Sequence, residues 1–209
     1  LADGIARAAL ECGVPIVGGD LSHGDALSIA VTVLGSAARP LRRSGACVGD
    51  ALWVTGTLGG PALALHALLS GRKPAPEHRA RFAAPRARIA EAQWLAAHGA
   101  TSGMDISDGL AADAGHLAAA SVVRIVLDLD RVPRVAGATA VEAAASGEEY
   151  ELLVTAPAGL DAAAFAREFG VPLTNVGRVE AAGSRPAGVD ARNAGVAVPV
   201  PTGFSHFAS

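Results

Sequence analysis

The chain has 209 residues, of which 51% are hydrophobic and only 4% are aromatic, and its formal net charge is −3. This charge, without a basic stripe along the chain, argues against nucleic-acid binding. No apolar run reaches the ~20 residues that span a bilayer, so no membrane segment is expected. The only cysteines, Cys12 and Cys47, lack metal-ligand spacing. We expect both to be buried in a reducing compartment, which predicts a cytoplasmic protein.

The N-terminal part predicts one helix followed by two strands. Leu1 begins a helical pattern that ends at Gly13, a suitable C-cap glycine. Residues 14–17 predict a short buried strand, and residues 27–34 predict a strand that is mostly buried on both faces. Because the helical pattern starts at the first residue, with neither a Met nor a capping residue before it, we expect the chain to begin partway through a larger protein.

The remainder alternates between strands and helices, which predicts an α/β or α+β fold. Residues 35–49 predict a connector at a subdomain boundary, and residues 70–77 predict a polar loop. The predicted strands are 51–55, 101–106, 122–127, 150–155 and 173–179. One predicted helix ends near residue 69, and the others span residues 85–98, 110–119, 138–145 and 160–169. Residues 199–209 predict an irregular tail.

The most informative segment is Asp105-Ile106-Ser107-Asp108-Gly109, between a predicted strand and a predicted helix. A strand-to-helix turn exposes polar side chains and directs free backbone N–H groups at a ligand. Asp105 and Asp108 can converge on one hard cation, which prefers oxygen ligands. The alternative is that Ser107 or Asp108 only caps the helix, an interpretation that does not require Asp105.

Three further segments have both an anion-binding and a structural interpretation. In Gly18-Gly19-Asp20, the glycines would let a phosphate approach backbone N–H groups and Asp20 would hold a bridging cation, or the segment is an ordinary turn. Arg42-Arg43 either binds a phosphate or is a solvated pair. Residues 56–60 either cradle an anion, although no Walker lysine follows, or form a tight strand-to-helix turn, which is slightly favoured.

Residues 147–151, Gly-Glu-Glu-Tyr-Glu, place three carboxylates beside an aromatic side chain at the start of a predicted strand. Side chains alternate along a strand, so Glu149 and Glu151 should point to one face and Glu148 and Tyr150 to the other. The segment is either part of a site or an exposed strand entry.

The C-terminal segment Gly203-Phe204-Ser205-His206-Phe207 contains two aromatic side chains. They either pin the tail to the core or stack on a flat ligand ring. Five other histidines show no convincing ligand pairing, and we interpret them as structural or surface residues: His23, His66, His78, His98 and His116.

The order and separation of these segments are more specific than any one of them. The series is Gly18-Gly19-Asp20, Arg43-Ser44-Gly45-Ala46 with Gly49-Asp50, Val54-Thr55-Gly56-Thr57-Leu58-Gly59, Asp105-Ile106-Ser107-Asp108-Gly109-Leu110, Gly147-Glu148-Glu149-Tyr150-Glu151-Leu152 and Gly203-Phe204-Ser205-His206-Phe207. It resembles the thiamine-monophosphate kinase family, within the aminoimidazole-ribonucleotide-synthetase-like superfamily. The resemblance covers nearly the whole chain.

This resemblance implies a mixed sheet flanked by helices. Residues 1–38 would be the end of an N-terminal ATP- and Mg²⁺-binding domain, and residues 39–209 would be the C-terminal domain. The family transfers the γ-phosphoryl group of ATP to thiamine monophosphate, which gives thiamine diphosphate and ADP, and it requires several Mg²⁺ ions. The resemblance also implies a homodimer at full length, with no nucleic acid and no membrane as partner.

Carried over by position, the resemblance implies that Gly19, Asp20, Arg43 and Ser107 contact ATP. Asp20, Asp105 and Asp108 would bind Mg²⁺, while Glu148 would contact thiamine monophosphate and Phe204 would lie against its rings. No covalent nucleophile is expected, because phosphoryl transfer depends mainly on positioning and on metal-assisted charge stabilisation.

The chain departs from the family pattern in two respects. The family usually has Asp where this chain has Glu149, so no role is carried over to that position. The family's N-terminal portion, with a further Asp cluster and dimer-forming strands, has no counterpart here, so we expect little or no activity from residues 1–209 alone. The alternatives are another synthetase of the superfamily, or a non-catalytic nucleotide-binding or assembly module.

Overall fold

The computed structural model describes residues 1–204 and divides into two compact units, Leu1–Arg39 and the part from Pro40 onward. The first unit contains helix α1 (Ala2–Glu11), which is followed by Gly13 with φ of +65°. Residues 14–17 and 27–34 form no strand and are exposed, so the prediction of two buried strands is wrong. A strand needs neighbours that satisfy its backbone and cover its apolar side chains, and the described residues of this unit supply neither.

The expected burial of the two cysteines is also wrong, since both are exposed free thiols. Cys12 caps α1, a helix without buried residues. Cys47 lies in the turn before the first strand, where its backbone N–H donates to the Asp50 carboxylate at 2.9 Å. Both positions are set by backbone geometry, so the apolar character of the thiol does not draw it into a core.

The second unit is built on seven strands and six α-helices within its described residues. The strands are β1 (Ala51–Thr55), β2 (Ser102–Asp105), β3 (Val123–Asp128), β4 (Leu152–Ala156), β5 (Leu173–Ala181), β6 (Gly188–Asn193) and β7 (Val196–Val198). The helices are α2 (Gly60–Leu69), α3 (Pro76–Ala83), α4 (Ile89–Ala97), α5 (Leu110–Ser121), α6 (Ala140–Ala145) and α7 (Ala162–Phe169), with a 3₁₀ turn at Leu129–Arg131.

The strands form one sheet in the order β2-β4-β1-β5-β3-β6-β7. All neighbours are antiparallel except β3 and β6, which run parallel with Ile125 opposite Val189. The expectation of a mixed sheet flanked by helices is therefore confirmed. The longest helix in the described part, α5, has twelve residues, so none of these helices could cross a membrane.

The sheet is covered on both faces, as alternation along β1 shows. Leu52 and Val54 belong to one apolar cluster, together with residues of α5 and α6. Ala51 and Trp53 belong to a second cluster, with Leu95 of α4 and residues of α7. Side chains alternate along a strand, so the two clusters lie on opposite faces and β1 is fully buried.

Four elements differ from the sequence-based prediction. Helix α3 occupies residues assigned to a loop or left unassigned, and α4 begins only at Ile89, after the segment that contains Pro85. Strands β6 and β7 were not predicted, because β6 contains Asp190, Arg192 and Asn193 and β7 has only three residues. The pairing of β6 with β3, and of β7 with β6, supplies the stability that their local sequence does not.

Candidate functional site

The candidate site is the turn from β2 to α5, residues 105–109. Asp105 ends β2 opposite Leu152 of β4, so the turn begins where this ladder ends. Gly109 directly precedes α5 with φ of +120°, a conformation that favours glycine. A Cβ at Gly109 would lie 2.9 Å from the carbonyl oxygen of Ala145 in α6. Glycine is therefore required for the turn to pack against the end of α6.

Backbone hydrogen bonds attach residues 147–151 to this turn. The N–H groups of Glu148 and Tyr150 donate to the carbonyl oxygens of Ser107 and Ile106, each at 2.8 Å. In return, Ile106 N–H donates to the Glu151 carbonyl oxygen at 2.8 Å. Two motifs about forty residues apart in sequence are thus one structural unit.

This unit gathers three of the predicted site carboxylates around Tyr150. The Tyr150 hydroxyl donates to the Glu148 carboxylate at 2.9 Å. That hydrogen bond is the main reason that the pKa of Tyr150 is raised; burial and the negative charges of Glu148, Asp105 and Asp108 raise it further. We call Asp105, Asp108 and Glu148 the acidic cluster.

The acidic cluster offers carboxylate oxygens, the donor type that divalent cations prefer. Asp105 and Glu148 are exposed and Asp108 is half-buried. None of the ion pairs among residues 1–204 involves Asp105 or Glu148. Mg²⁺ is held by one or two carboxylates together with substrate phosphates, and the residues present fit that donor set.

The backbone beside the cluster is strained. Glu148 and Tyr150 have φ of +59° and +51°, the left-handed region that non-glycine residues rarely occupy. Each such residue costs about 1–2 kcal/mol, and it persists only where the surroundings fix it. The strain explains why the regular strand β4 begins only at Leu152, two residues later than predicted.

Asp113, which the sequence analysis did not single out, lies fully buried beneath the turn. Its Oδ2 accepts the backbone N–H groups of Ser107, Asp108 and Gly109 at 3.0, 3.1 and 3.2 Å. Burial raises the pKa of Asp113, and the Asp108 charge adds to this, while the backbone hydrogen bonds oppose it. The expectation that these N–H groups are free for a ligand is therefore wrong, because the protein's own carboxylate binds them.

His116 also lies at the turn, although the sequence analysis found no ligand pairing for it. Its Nε2 lies 3.8 Å from Asp108 Oδ2, and its side chain is 53% exposed. Asp108, Asp113 and His116 each offer a ligand atom, and these atoms lie within 4.8 Å of one another. Their spacing of three positions on a predicted helix is a signal that could have identified Asp113 and His116 as neighbours on one face.

The C-terminal segment reaches the same turn. Phe204 N–H donates to the Asp108 carbonyl oxygen at 2.8 Å, and the Phe204 side chain is 63% exposed. At Gly203 a Cβ would lie 2.2 Å from the same oxygen, so only glycine permits this approach. The structure thus brings Phe204 to the acidic cluster, while the rest of the predicted motif, residues 205–207, lies outside the described residues.

The predicted ATP contacts are not all brought together. Ser107 is part of the turn, at the N-terminal end of α5. The Arg43 carbonyl oxygen instead accepts a hydrogen bond from Ser121 Oγ at 3.1 Å, at the C-terminal end of the same helix. Twelve helical residues span about 18 Å, so the Arg43 main chain is remote from Ser107.

Gly19 and Asp20 belong to the first unit. Asp20 is exposed, and its carboxylate accepts a hydrogen bond from the Ser22 hydroxyl at 2.9 Å. Nucleotide contact by Gly19 and metal binding by Asp20 stay predictions.

On the other side of residues 147–151, Glu149 and Glu151 are buried in a set of ion pairs that we call the inner network: Arg81, Arg88, Glu149 and Glu151. Arg88 binds both oxygens of Glu151, at 2.9 and 2.6 Å. Glu149 and Glu151 are separated from Glu148 as predicted, but strand alternation is not the cause, because Glu148 and Tyr150 have left-handed backbone conformations and β4 begins only at Leu152. Neither arginine was predictable from the sequence, because nothing local marks which surface cation will meet a carboxylate some 65 residues away.

The glycine-rich loop before α2 packs against the inner network. The Gly59 N–H donates to the Glu149 carboxylate, and the Gly56 N–H donates to the Pro172 carbonyl oxygen at 2.9 Å. Ala62 N–H is bound by Ser146 Oγ at 3.3 Å. Since these donors already have protein partners, the geometry favours the tight-turn interpretation over the anion cradle. Burial raises the pKa of Glu149, while Ser146, Gly59 and Arg81 act to lower it.

The chain is similar in sequence to several curated proteins. Thiamine-monophosphate kinase of Pyrococcus horikoshii is 39% identical over 163 residues, which are 75% of this chain and 52% of that protein. The Methanopyrus kandleri protein of the same name is 37% identical over 188 residues, 84% of this chain and 59% of that protein. The chain thus spans little more than half the length of these curated relatives.

A solved structure described as AaThiL complexed with AMPPCP and TMP superimposes with a TM-score of 0.63 at 32% identity, covering 80% of this chain and 54% of that one. The C-terminal domain of AIR synthase related proteins matches residues 48–188, well over half of the chain. This match covers the β2–α5 turn, residues 147–151 and the inner network. The chain belongs to the family of AIR synthase related proteins, as a C-terminal domain of that family.

Proposed function

We propose that the protein containing this chain phosphorylates thiamine monophosphate at the expense of ATP, which yields thiamine diphosphate and ADP. The observation that carries the proposal is the convergence of Asp105, Asp108, Glu148 and Phe204 on one turn. The relatives named thiamine-monophosphate kinase, and the neighbour solved with AMPPCP and TMP, support the same assignment.

In the proposed reaction, an oxygen of the thiamine phosphate attacks the γ-phosphorus of ATP. The bond from that phosphorus to the β–γ bridging oxygen breaks, and ADP leaves with the electron pair. Bound Mg²⁺ would neutralise phosphate charge during this transfer. Asp105 and Asp108 would hold an ion at the β2–α5 turn, and Asp20 would bind Mg²⁺ in the first unit.

The remaining residues would bind and orient the two substrates. Glu148 would contact thiamine monophosphate, and the exposed Phe204 ring would stack against the thiamine rings. Gly19, Ser107 and Arg43 would contact ATP. Because the Arg43 main chain lies far from Ser107, we further propose that the active form is a homodimer.

The test is release of ADP by the full-length protein with ATP and Mg²⁺, with and without thiamine monophosphate. We expect release to require thiamine monophosphate, and thiamine diphosphate to form in equal amount by chromatography. Unphosphorylated thiamine is the matched control substrate. ADP release that ignores thiamine monophosphate would indicate another synthetase of the superfamily, and nucleotide binding without turnover would indicate a binding module; either result contradicts the proposal.

A further inference from the structure

The inner network connects two loop segments of the second unit, residues 56–60 and residues 147–151. Arg81, on α3, donates through Nη2 to the Thr57 carbonyl oxygen at 2.5 Å and to Glu149 Oε2 at 3.1 Å. Its Nη1 donates to the Thr57 hydroxyl at 3.2 Å. One guanidinium therefore bridges the glycine-rich loop at residues 56–60 and the segment at residues 147–151.

Glu149 is the point through which this bridge acts on the site. Its Oε1 accepts from the Ser146 hydroxyl at 2.6 Å and from the Gly59 N–H, while its Oε2 accepts from Arg81. The Glu149 side chain is 0% exposed and the Arg81 side chain is 29% exposed. Both oxygens of the Glu149 carboxylate are thus held by groups outside residues 147–151.

The residues on either side of Glu149 are both strained. Glu148 and Tyr150 have left-handed backbone conformations that an unconstrained chain would abandon. Their N–H groups are held by the β2–α5 turn on one side, and the Glu149 side chain is held by Arg81 on the other. Loss of the second attachment would let the backbone relax, and Glu148 would move away from Asp105 and Asp108.

We propose that Arg81 is a positioning residue for the substrate side of the site: acting through Glu149 and the Thr57 carbonyl oxygen, it fixes the strained turn that presents Glu148. Arg81 touches no substrate in this scheme. Its planar guanidinium uses two nitrogens: Nη1 binds the Thr57 hydroxyl, while Nη2 binds the Thr57 carbonyl oxygen and Glu149. A lysine, whose donors all lie on one nitrogen, cannot reproduce this arrangement. The kinetic consequence rests on the proposed function, because it assumes that Glu148 contacts thiamine monophosphate.

The decisive variant is Arg81→Lys in the full-length protein, because it keeps the positive charge beside buried Glu149. The measurements are amide hydrogen exchange at Glu148 and Tyr150, and the KM for each substrate. We expect exchange at these two amides to be about tenfold faster, and the KM for thiamine monophosphate to rise about tenfold while the KM for ATP stays within about twofold. Arg81→Met should show the same pattern more strongly.

Arg79→Lys is the matched control, because Arg79 is exposed on the same helix and makes no ion pair among residues 1–204. It should leave exchange and both KM values at the wild-type level. Exchange at Glu148 and Tyr150 that is unchanged in Arg81→Lys would overturn the inference, whatever the activity. A wild-type protein without thiamine-monophosphate-dependent turnover would contradict the proposed function instead, and the exchange experiment would still decide whether Arg81 holds the turn.

Discussion

Neighbouring carboxylates of residues 147–151 enter opposite environments. Glu148 faces solvent with Asp105 and Asp108, and in the described part no arginine or lysine pairs with Glu148 or Asp105. Glu149 and Glu151 face the interior, where Arg81 and Arg88 compensate them.

The contrast separates two uses of negative charge. An exposed carboxylate that has no arginine or lysine partner is available to a divalent metal ion. Charge that is buried and paired stabilises the fold only as long as both partners remain, because removing one partner leaves an uncompensated buried ion. Substitutions in the acidic cluster should therefore change the reaction, and substitutions in the inner network should change stability and geometry.

The largest expected effect is that of Asp108→Asn in the full-length protein. Asn retains the shape of Asp but binds Mg²⁺ poorly, so kcat should fall about 10²–10³-fold, the range for removing one group that stabilises transition-state charge. The melting temperature should change little. Steady-state kinetics and thermal unfolding are the measurements, and a near-normal rate at saturating Mg²⁺ would contradict the metal role.

Asp113→Ala tests the buried carboxylate beneath the acidic cluster. The substitution leaves three N–H groups without this acceptor, that of Gly109 buried and those of Ser107 and Asp108 partly buried, so the free energy of unfolding should fall by about 2–4 kcal/mol. Denaturant unfolding measures this change. Asp161→Ala is a suitable control, since Asp161 accepts a single exposed N–H from Ala164 at 2.8 Å and should cost only about 1 kcal/mol. Equal losses would mean that the three bonds at the turn contribute no more than an ordinary cap.

Gly56→Ala should break the inner network without removing a charge. A Cβ at Gly56 would lie 2.3 Å from Glu151 Oε1, and Glu151 cannot withdraw because Arg88 and Thr55 hold it. Together with the left-handed φ of +66°, this should lower the free energy of unfolding by about 2–4 kcal/mol.

Gly49→Ala separates the two causes, because Gly49 also has a positive φ, +96°, but a Cβ there would meet nothing within 4 Å. It should show the backbone cost alone, about 1–2 kcal/mol. If both alanine variants lose the same stability, the packing of Glu151 against Gly56 is not what makes glycine necessary.

Phe204→Ala should have a smaller effect, confined to one substrate. Stacking on a flat ring contributes about 0.5–1.5 kcal/mol beyond the area buried, so the KM for thiamine monophosphate should rise roughly three- to tenfold while that for ATP does not. Steady-state kinetics with each substrate varied in turn measures the difference. An equal rise for both substrates would assign Phe204 to anchoring of the tail.

The smallest effect concerns a carboxylate that is paired but partly exposed. The Arg124 hydrogen bond holds the pKa of Asp190 below its ordinary value of about 3.9. A lowered carboxyl pKa stabilises the fold above the ordinary value, and this contribution disappears as pH falls through the lowered value. Between about pH 5 and pH 3, the melting temperature of the wild type should therefore fall more steeply than that of Asp190→Asn. Parallel curves would show that the pair contributes nothing.

Several features of the fold and site were determined by local sequence. Residues 51–55 were predicted as a strand, and a strand and a helix were predicted on either side of residues 107–109, where the structure has β2 and α5. The predicted separation of Glu149 and Glu151 from Glu148 also holds, although left-handed backbone at Glu148 and Tyr150, rather than an extended strand, produces it. Asp105 and Asp108 were recognisable as candidate site residues, because they lie where a predicted strand ends and a predicted helix begins.

Which charges are compensated was decided only by tertiary structure. Arg81 meets Glu149 across 68 residues of sequence, and Asp113 binds the three N–H groups that the sequence had left free for a ligand. Residues 14–17 and 27–34 have strand patterns but form no strand, while polar β6 forms one beside β3. Hydrogen-bond partners and counter-charges come from distant parts of the chain. A local pattern can therefore predict a strand or an ion site, but tertiary contacts determine whether that strand or site forms.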